Sequence, residues 1–232
     1  STQVSGDIRL MYNRAWKEEH AISYTAVLSG QESTDSRPAT VQEGIPNRNL
    51  GLSMRLSYGL KDRYFLEGSF GYNGSERFSK NNRMGFFPAG GIAWIVSKEK
   101  FMASSLSWLT HLKFRASYGK VGNDGIIKTP RFVYLPEIKE TNPTITNRPG
   151  TGYEKLYSIA GYENPDVKWE IAEQVNFGID TKLFGGIVDI TLDAYQEIRH
   201  NILSQRTVIP SSVGLGLYPL DHIGKVKSRG ID

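Results

Sequence analysis

Histidine is the residue type in this chain that most readily binds a metal ion or acts as a general acid or base. The four histidines are dispersed, and none has a His-x-x-Glu-His spacing or a carboxylate pattern suited to a metal site. They are His20, His111, His200 and His222. The sequence therefore predicts neither a metal ion nor a catalytic histidine.

Motifs for nucleophilic or phosphate chemistry are also missing. No serine lies in a Gly-x-Ser-x-Gly motif, cysteine is absent, and residues 148–152 lack the lysine of a phosphate-binding loop. The acidic residues in 162–166 do not resemble a calcium loop. The net charge of +4 comes from scattered lysines and arginines without a basic run, which argues against nucleic acid as a partner. We expect neither an enzyme nor a bound cofactor.

The side chains that remain for a binding function include the aromatic residues of a long insertion. Residues 121–168 are rich in proline and too long for a turn, and long loops of this kind are usually functional or disordered. Their rings could stack on sugar rings or peptide side chains, pack against another protein, or only pin the loop to itself. The candidate contacts are Phe132, Tyr134, Tyr153, Tyr157 and Tyr162.

Regular alternation of apolar and polar residues between Leu50 and Tyr72 predicts the elements that would position these side chains. A tight turn at Lys61-Asp62 divides this stretch into a hairpin. Each arm has about ten residues, the length of a tilted membrane-spanning strand, whereas a strand of a soluble sheet has about five or six. Aromatic residues at the arm ends, such as Tyr64, are typical of a membrane interface.

The polar positions of the strands carry charged and amide side chains. In a barrel these residues line the aqueous interior, whereas in a soluble sheet they form the solvated face opposite a protein core. Strand length and loop pattern favour the barrel. The candidate lumen-facing residues are Arg55, Glu67, Lys113, Arg115, Asn176 and Asp180.

The same alternation predicts about nine strands joined by connections that are short and long in turn. The strands are expected at 4–16, 20–31, 50–60, 64–72, 86–97, 112–119, 169–183, 188–195 and from His222 onward. The long connections are expected at 32–49, 73–85, 121–168 and 204–221, and Gly185-Gly186 predicts a two-residue hairpin turn. The predicted fold is all-β: a portion of an antiparallel transmembrane β-barrel with short periplasmic turns and long outer loops.

One strand departs from this pattern. Between residues 86 and 97 both faces are largely apolar, so Phe87 and Ile95 would point into the lumen. Either something covers the lumen at this strand, or the predicted register is wrong by one residue.

Several strings of residues closely resemble the SusC/RagA class of TonB-dependent outer-membrane transporters. They occur in the order and at the spacing of that class, and together they cover most of the chain. The strings are residues 63–78, 82–89, 112–123, 164–170, 174–180 and 223–231.

The resemblance implies a barrel of roughly 22 strands with a plugged lumen, so residues 1–232 would be a partial barrel without the plug domain. Both ends of the chain look cut, and we expect a longer parent protein in the Gram-negative outer membrane, surrounded by lipid. The class imports glycans or peptides with a SusD-like lipoprotein over its outer loops and contacts the TonB complex through the plug segment. Residues 32–49 and 121–168 are candidates for contact with the lipoprotein or the ligand.

Two alternatives remain at this stage. A passive porin-like or adhesive outer-membrane barrel would share the alternation and the loop asymmetry but not the ordered strings. A soluble carbohydrate-binding β domain would share the alternation alone.

Overall fold

The structure is a computed structural model in which most of the chain is described. The described residues are 2–17, 19–37, 44–102, 108–125, 132–141, 156–214 and 217–232.

Eleven strands form the described fold. Their bounds are β1 Thr2–Trp16, β2 His20–Thr34, β3 Asn47–Leu60, β4 Tyr64–Ser75, β5 Met84–Ile95, β6 Leu109–Asn123, β7 Glu137–Thr141, β8 Leu156–Gly161, β9 Glu170–Leu183, β10 Val188–Gln205 and β11 Leu220–Ile231. Single 3₁₀ turns lie at Val96–Lys98, Phe184–Gly186 and Ser211–Val213.

Nine of these strands form one antiparallel sheet in the order β1-β2-β3-β4-β5-β6-β9-β10-β11. Every strand pairs with its neighbours along the chain, except that β6 pairs with β9 across the long insertion, which itself contains the hairpin β7-β8. The sheet does not close on itself in the described residues. The predicted antiparallel sheet of nine strands is confirmed.

Most strands extend further toward the long loops than predicted. β10 continues to Gln205, about ten residues past its predicted end at Tyr195, and β2 continues to Thr34. The predicted loops at 32–49, 73–85 and 204–221 are correspondingly too long. Apolar and polar residues alternate only where one face of a strand is apolar and the other is polar. Near the long loops both faces are polar, so the alternation is lost although the backbone pairing continues.

The two predicted tight turns have different outcomes. Lys61 and Asp62 both have positive φ, at 54° and 49°, and the Arg63 amide donates to the Leu60 carbonyl at 3.0 Å, as in a two-residue hairpin turn. The Gly185-Gly186 prediction is wrong in length. Four residues, 184–187, join β9 to β10, and Phe184 has a positive φ as well as both glycines.

The sheet is a single layer with two faces of opposite character. The pairing register places one set of apolar side chains on a common face: Leu52, Met54, Leu56, Leu66, Phe70, Phe114, Phe177, Ile190 and Leu192. We call the side of the sheet that carries these residues the apolar face. Many of these side chains are solvent-exposed, and Leu66 is 57% exposed. No helix among the described residues has the length and hydropathy needed to cross a membrane.

Candidate functional site

The face opposite the apolar face carries all six candidate lumen-facing residues, and we call it the charged face. The register brings Arg55, Glu67, Lys113, Arg115, Asn176 and Asp180 to this one side. That this side faces a lumen remains a prediction.

Arg115 on β6 is the centre of the largest ion-pair network on the charged face. Its Nη2 donates to Oδ2 of Asp193 at 2.5 Å, and its Nε lies 3.3 Å from Oδ2 of Asp180. Lys113 Nζ lies 3.6 Å from the same Asp180 oxygen. The alternation already places Asp193 on the polar side of its strand, but its contact with Arg115 depends on pairing between strands far apart in sequence. The network links three adjacent strands, β6, β9 and β10.

Gly178 makes this network possible. The register aligns Arg115 on β6, Gly178 on β9 and Asp193 on β10 in one row across the sheet. A Cβ built at Gly178 would lie 2.4 Å from Cζ of Arg115. The guanidinium can therefore cross the middle strand only because that strand has no side chain at this position.

A second ion pair lies on the same face at β3 and β4. Arg55 Nη2 donates to Oε2 of Glu67 at 2.6 Å, and the Ser57 hydroxyl donates to the same oxygen at 3.2 Å. Between the two ion-pair sites, β5 presents only small residues on this face: Ala89, Gly91 and Ala93. The charged face thus forms a shallow groove with the Arg55–Glu67 ion pair on one side and the Arg115 network on the other.

The aromatic core of the described residues lies at the loop end of the charged face. It consists of Phe78, Phe87, Val133, Val167 and Trp169, all buried, and we call it the mouth core. The Trp169 ring lies 5.1 Å from both the Phe78 ring and the Phe87 ring. The predicted register at Phe87 is therefore correct, and the cover that the sequence required comes from the chain's own loops.

Hydrogen bonds tie three loops together around the mouth core. The Ser79 hydroxyl donates to the Pro165 carbonyl at 2.8 Å, and the Trp169 indole donates to the Arg83 carbonyl at 3.2 Å. The Asn164 side-chain amide donates to the Leu220 carbonyl at 2.7 Å. Residues 82–89 and 164–170 are two of the segments that carry the family resemblance, and both take part in the hydrogen bonds that join these loops around the mouth core.

His222 has a structural role at this place. Its Nε2 accepts from the Lys168 amide at 3.0 Å, so its Nδ1 carries the proton and donates to the Asn201 carbonyl at 2.7 Å. Asn201 lies in an irregular part of β10, with a φ of 58°. The imidazole fastens the loop before β9 to the bend in β10.

Gly122 on β6 leaves space for the Phe87 ring in the mouth core because it has no side chain. A Cβ at Gly122 would lie 1.9 Å from the Phe87 ring, which is buried and has no space to move away. We expect Gly122→Val to lower the free energy of unfolding by about 1 to 3 kcal/mol through overpacking, and to expose the outer loops to protease. Both quantities are to be measured on the intact protein.

The matched control is Gly30→Val, because a Cβ at Gly30 meets nothing within 4 Å. Equal stability and equal protease resistance in the Gly122 and Gly30 variants would contradict the packing role assigned to Gly122.

The five candidate aromatic residues fall in different surroundings. Phe132 is only 4% exposed, so in this structure it contacts protein, and its ring lies 5.9 Å from that of the half-buried Tyr134. Tyr157 is 66% exposed, and Tyr162 is half-buried. Tyr153 lies outside the described residues, as does the 38–43 part of the candidate loop 32–49. Ligand or protein contact by these residues remains a prediction.

Tyr157 belongs to an exposed apolar surface on the β7-β8 hairpin. The register places Ile138, Ile159 and Tyr157 on one side of the hairpin together with Glu140, and the first three are 64%, 55% and 66% exposed. The hairpin begins four residues after Val133 of the mouth core, and the Asn164 amide donates to the Val133 carbonyl at 3.0 Å. The hairpin is therefore exposed, but the chain segments at its base are packed in the mouth core.

At the short-turn end of the sheet, aromatic rings and one carboxylate form a cluster that the sequence pattern did not reveal. Tyr64 and Trp94 stack with ring centroids 6.4 Å apart. Glu99, from the connection after β5, accepts from the Tyr64 hydroxyl at 2.5 Å, the Trp94 indole at 3.2 Å and Arg63 at 3.3 Å. The Tyr64 hydrogen bond, followed by that of Trp94, lowers the pKa of Glu99 below its usual value. Glu99 lies outside the strands, and no alternation marks it.

The described residues contain no group of three or more histidine, aspartate and glutamate side chains that could hold a metal ion. The described residues instead form a single sheet with one apolar face and one charged face, and loops cover the charged face at the mouth core.

Comparisons with known proteins agree with this architecture. The family model described as TonB dependent receptor-like, beta-barrel matches residues 3–232. TonB-dependent receptor P3 of Formosa agariphila is 29% identical over 178 residues, and TonB-dependent receptor SusC of Bacteroides thetaiotaomicron is 28% identical over 178 residues. In both cases the match covers 77% of this chain but only 17% of the relative.

The structure of the RagAB peptide transporter aligns with a TM-score of 0.77 at 20% identity. The alignment covers 99% of this chain and 27% of that one. At this identity the likeness concerns the fold alone.

Proposed function

The chain belongs to the TonB-dependent receptor-like β-barrel family, whose barrels lie in the outer membrane, and from this premise we propose that it forms part of the wall of an outer-membrane importer. The SusC/RagA-class resemblance seen in the sequence is confirmed. We further propose that residues 1–232 are a partial barrel and that the plug domain lies elsewhere in the parent protein.

The observation that carries this proposal is the two-faced single sheet. A soluble domain would cover an apolar face with a second layer, whereas here the apolar face carries exposed side chains on β2 to β6, β9 and β10 of the nine-stranded sheet. Lipid is the environment that satisfies such a face, and the charged face then borders an aqueous interior. Outer-membrane localisation excludes the soluble carbohydrate-binding domain.

We propose that the partners are a SusD-like lipoprotein at the outer loops and the TonB complex at the plug. The support comes from the class: one relative is SusC, and the solved neighbours include the RagAB peptide importer and the RagAB peptide transporter. The ligand is an oligosaccharide or a peptide. The hairpin face with Tyr157 is where we place contact with the lipoprotein or the ligand.

The test is uptake by cells that carry or lack the complete gene, each with and without a functional TonB. Labelled oligosaccharide and oligopeptide mixtures serve as separate substrates. We expect uptake of one class to require both the gene and TonB, because import through a plugged barrel needs energy. Uptake that needs the gene but not TonB would favour the passive porin-like alternative, and adhesion without uptake would favour the adhesive one.

A further inference from the structure

The joint between β5 and β6 is interrupted at its long-loop end. β5 pairs with β4 as far as Met84, and β6 pairs with β9 as far as Asn123. Between the two strands themselves, pairing stops at Ala89 and Gly119 in the described chain. Each of β4, β5, β6 and β9 has both of its sheet neighbours in the chain. The interruption therefore lies inside the sheet and not at one of its edges.

We call the unpaired segments, residues 84–88 of β5 and 120–123 of β6, the fork. Pro88 is the first residue of β5 past the last paired position, Ala89. Proline has no backbone N–H to donate, so in a central strand it is found where the ladder is already broken. The sequence thus contains a residue that keeps the two strands from pairing at this point.

Side-chain packing closes the fork in place of a ladder. The Phe87 ring occupies the space that a Cβ would take at Gly85 on β5 and at Gly122 on β6, so it lies between the two strands. Phe87 is only 7% exposed, and its ring meets that of Trp169 edge-on at 5.1 Å. The mouth core therefore seals the wall where backbone hydrogen bonds do not.

Hydrogen bonds between loops also cross the fork. The loop between β4 and β5 lies on one side, and the segments after β6 and before β9 lie on the other. The Ser79 hydroxyl and the Asn82 side-chain amide both donate to the Pro165 carbonyl, at 2.8 and 3.4 Å. The Arg77 guanidinium donates to the Asp124 carbonyl at 3.3 Å. All of these bonds come from side chains and can break while the strands stay paired.

We propose that the fork is a hinged joint: the end of the β4-β5 hairpin beyond Pro88 moves away from β6 and widens the mouth, and the mouth core holds it closed. Proteins open locally where contacts are fewest and where hydrogen bonds are exposed to solvent. The movement bends β4 and β5 together and leaves their own pairing intact. Its consequence for uptake rests on the proposed importer function, whereas the joint itself does not.

The first test locks the fork in the complete transporter with a cross-link that a reductant cleaves. Ser79→Cys with Pro165→Cys, joined by a short bifunctional methanethiosulfonate, connects the two sides. Ser79→Cys with Asn82→Cys is the matched control, because the Asn82 amide donates to the Ser79 carbonyl at 3.0 Å on one side of the fork.

We expect the cross-link to Pro165 to lower TonB-dependent uptake several-fold, reductant to restore it, and the control cross-link to leave uptake unchanged. Full uptake with the fork locked, or an equal loss with both cross-links, would overturn the proposal.

Hydrogen exchange tests the joint without a transported ligand, so it decides the matter even if the proposed import fails. In the complete barrel in detergent, Phe87→Ala should speed exchange in peptides covering 84–88 and 120–123 by about tenfold or more, because the packing that closes the fork is lost. Phe65→Ala on the same face of β4, where the strand is paired on both sides, should leave those peptides unchanged.

Heat-modified gel mobility verifies that the variants are folded. If Phe87→Ala does not assemble, Phe87→Leu removes less of the packing and is measured in the same way. Unchanged exchange at the fork, or equal acceleration in the Phe65 and Phe87 variants, would show that the mouth core does not hold a joint closed.

Discussion

Arginine in place of Leu56 is expected to lower the free energy of unfolding of the complete barrel by about 2 to 4 kcal/mol. Leu56 pairs with Gly68, which lies midway between the aromatic residues Tyr64 and Tyr72 on β4. Those two residues are about 27 Å apart along the strand, so a tilted strand places Leu56 near the middle of the bilayer. A guanidinium there loses its hydration without gaining a partner.

The measurement is equilibrium unfolding in lipid bilayers. Ser53→Arg on the charged face of the same strand is the matched control, and we expect a change within about 0.5 kcal/mol because this side chain reaches water. Spin labels at positions 55 and 56 give an independent reading. Equal accessibility of both labels to a water-soluble and a lipid-soluble quencher would show that the two faces are wrongly assigned.

Excision of the β7-β8 hairpin is expected to abolish uptake or lipoprotein binding while leaving the barrel assembled. The excision should run from 135 to 162 and join Tyr134 to Glu163 through a short Gly-Ser segment. The neighbouring Val133 carbonyl and Asn164 amide are already 3.0 Å apart, so the new ends meet without strain. This design keeps Val133 and Val167 in the mouth core and removes the exposed apolar surface.

Three measurements separate contact from packing: labelled-substrate uptake, co-purification of the lipoprotein, and heat-modified gel mobility of the barrel. Tyr157→Ala with Ile138→Ser is a milder variant that leaves the hairpin in place, and it should weaken the same contact. Wild-type uptake and lipoprotein binding after excision would show that the aromatic residues serve only the loop itself. Failure of the barrel to assemble would show that the hairpin is part of the folding unit.

The sequence by itself determined the class of fold and the composition of its two faces. Alternation with a period of two residues is a direct consequence of strand geometry, so the sequence alone assigns residues such as Leu52 and Arg55 to opposite faces of the sheet. Even the exception was informative. Phe87 on the otherwise polar side predicted either a cover or a register error, and the structure shows a cover made by Val133, Val167 and Trp169.

The tertiary structure alone decided which charges meet and what covers the mouth. Arg115 reaches Asp193, 78 residues away, because pairing of β6 with β9 and of β9 with β10 brings both beside Gly178. No local pattern encodes such a contact, since register across a long insertion is set by the whole sheet. Likewise, the strand ends near the long loops and the role of His222 depend on backbone pairing and on loops that meet only after folding.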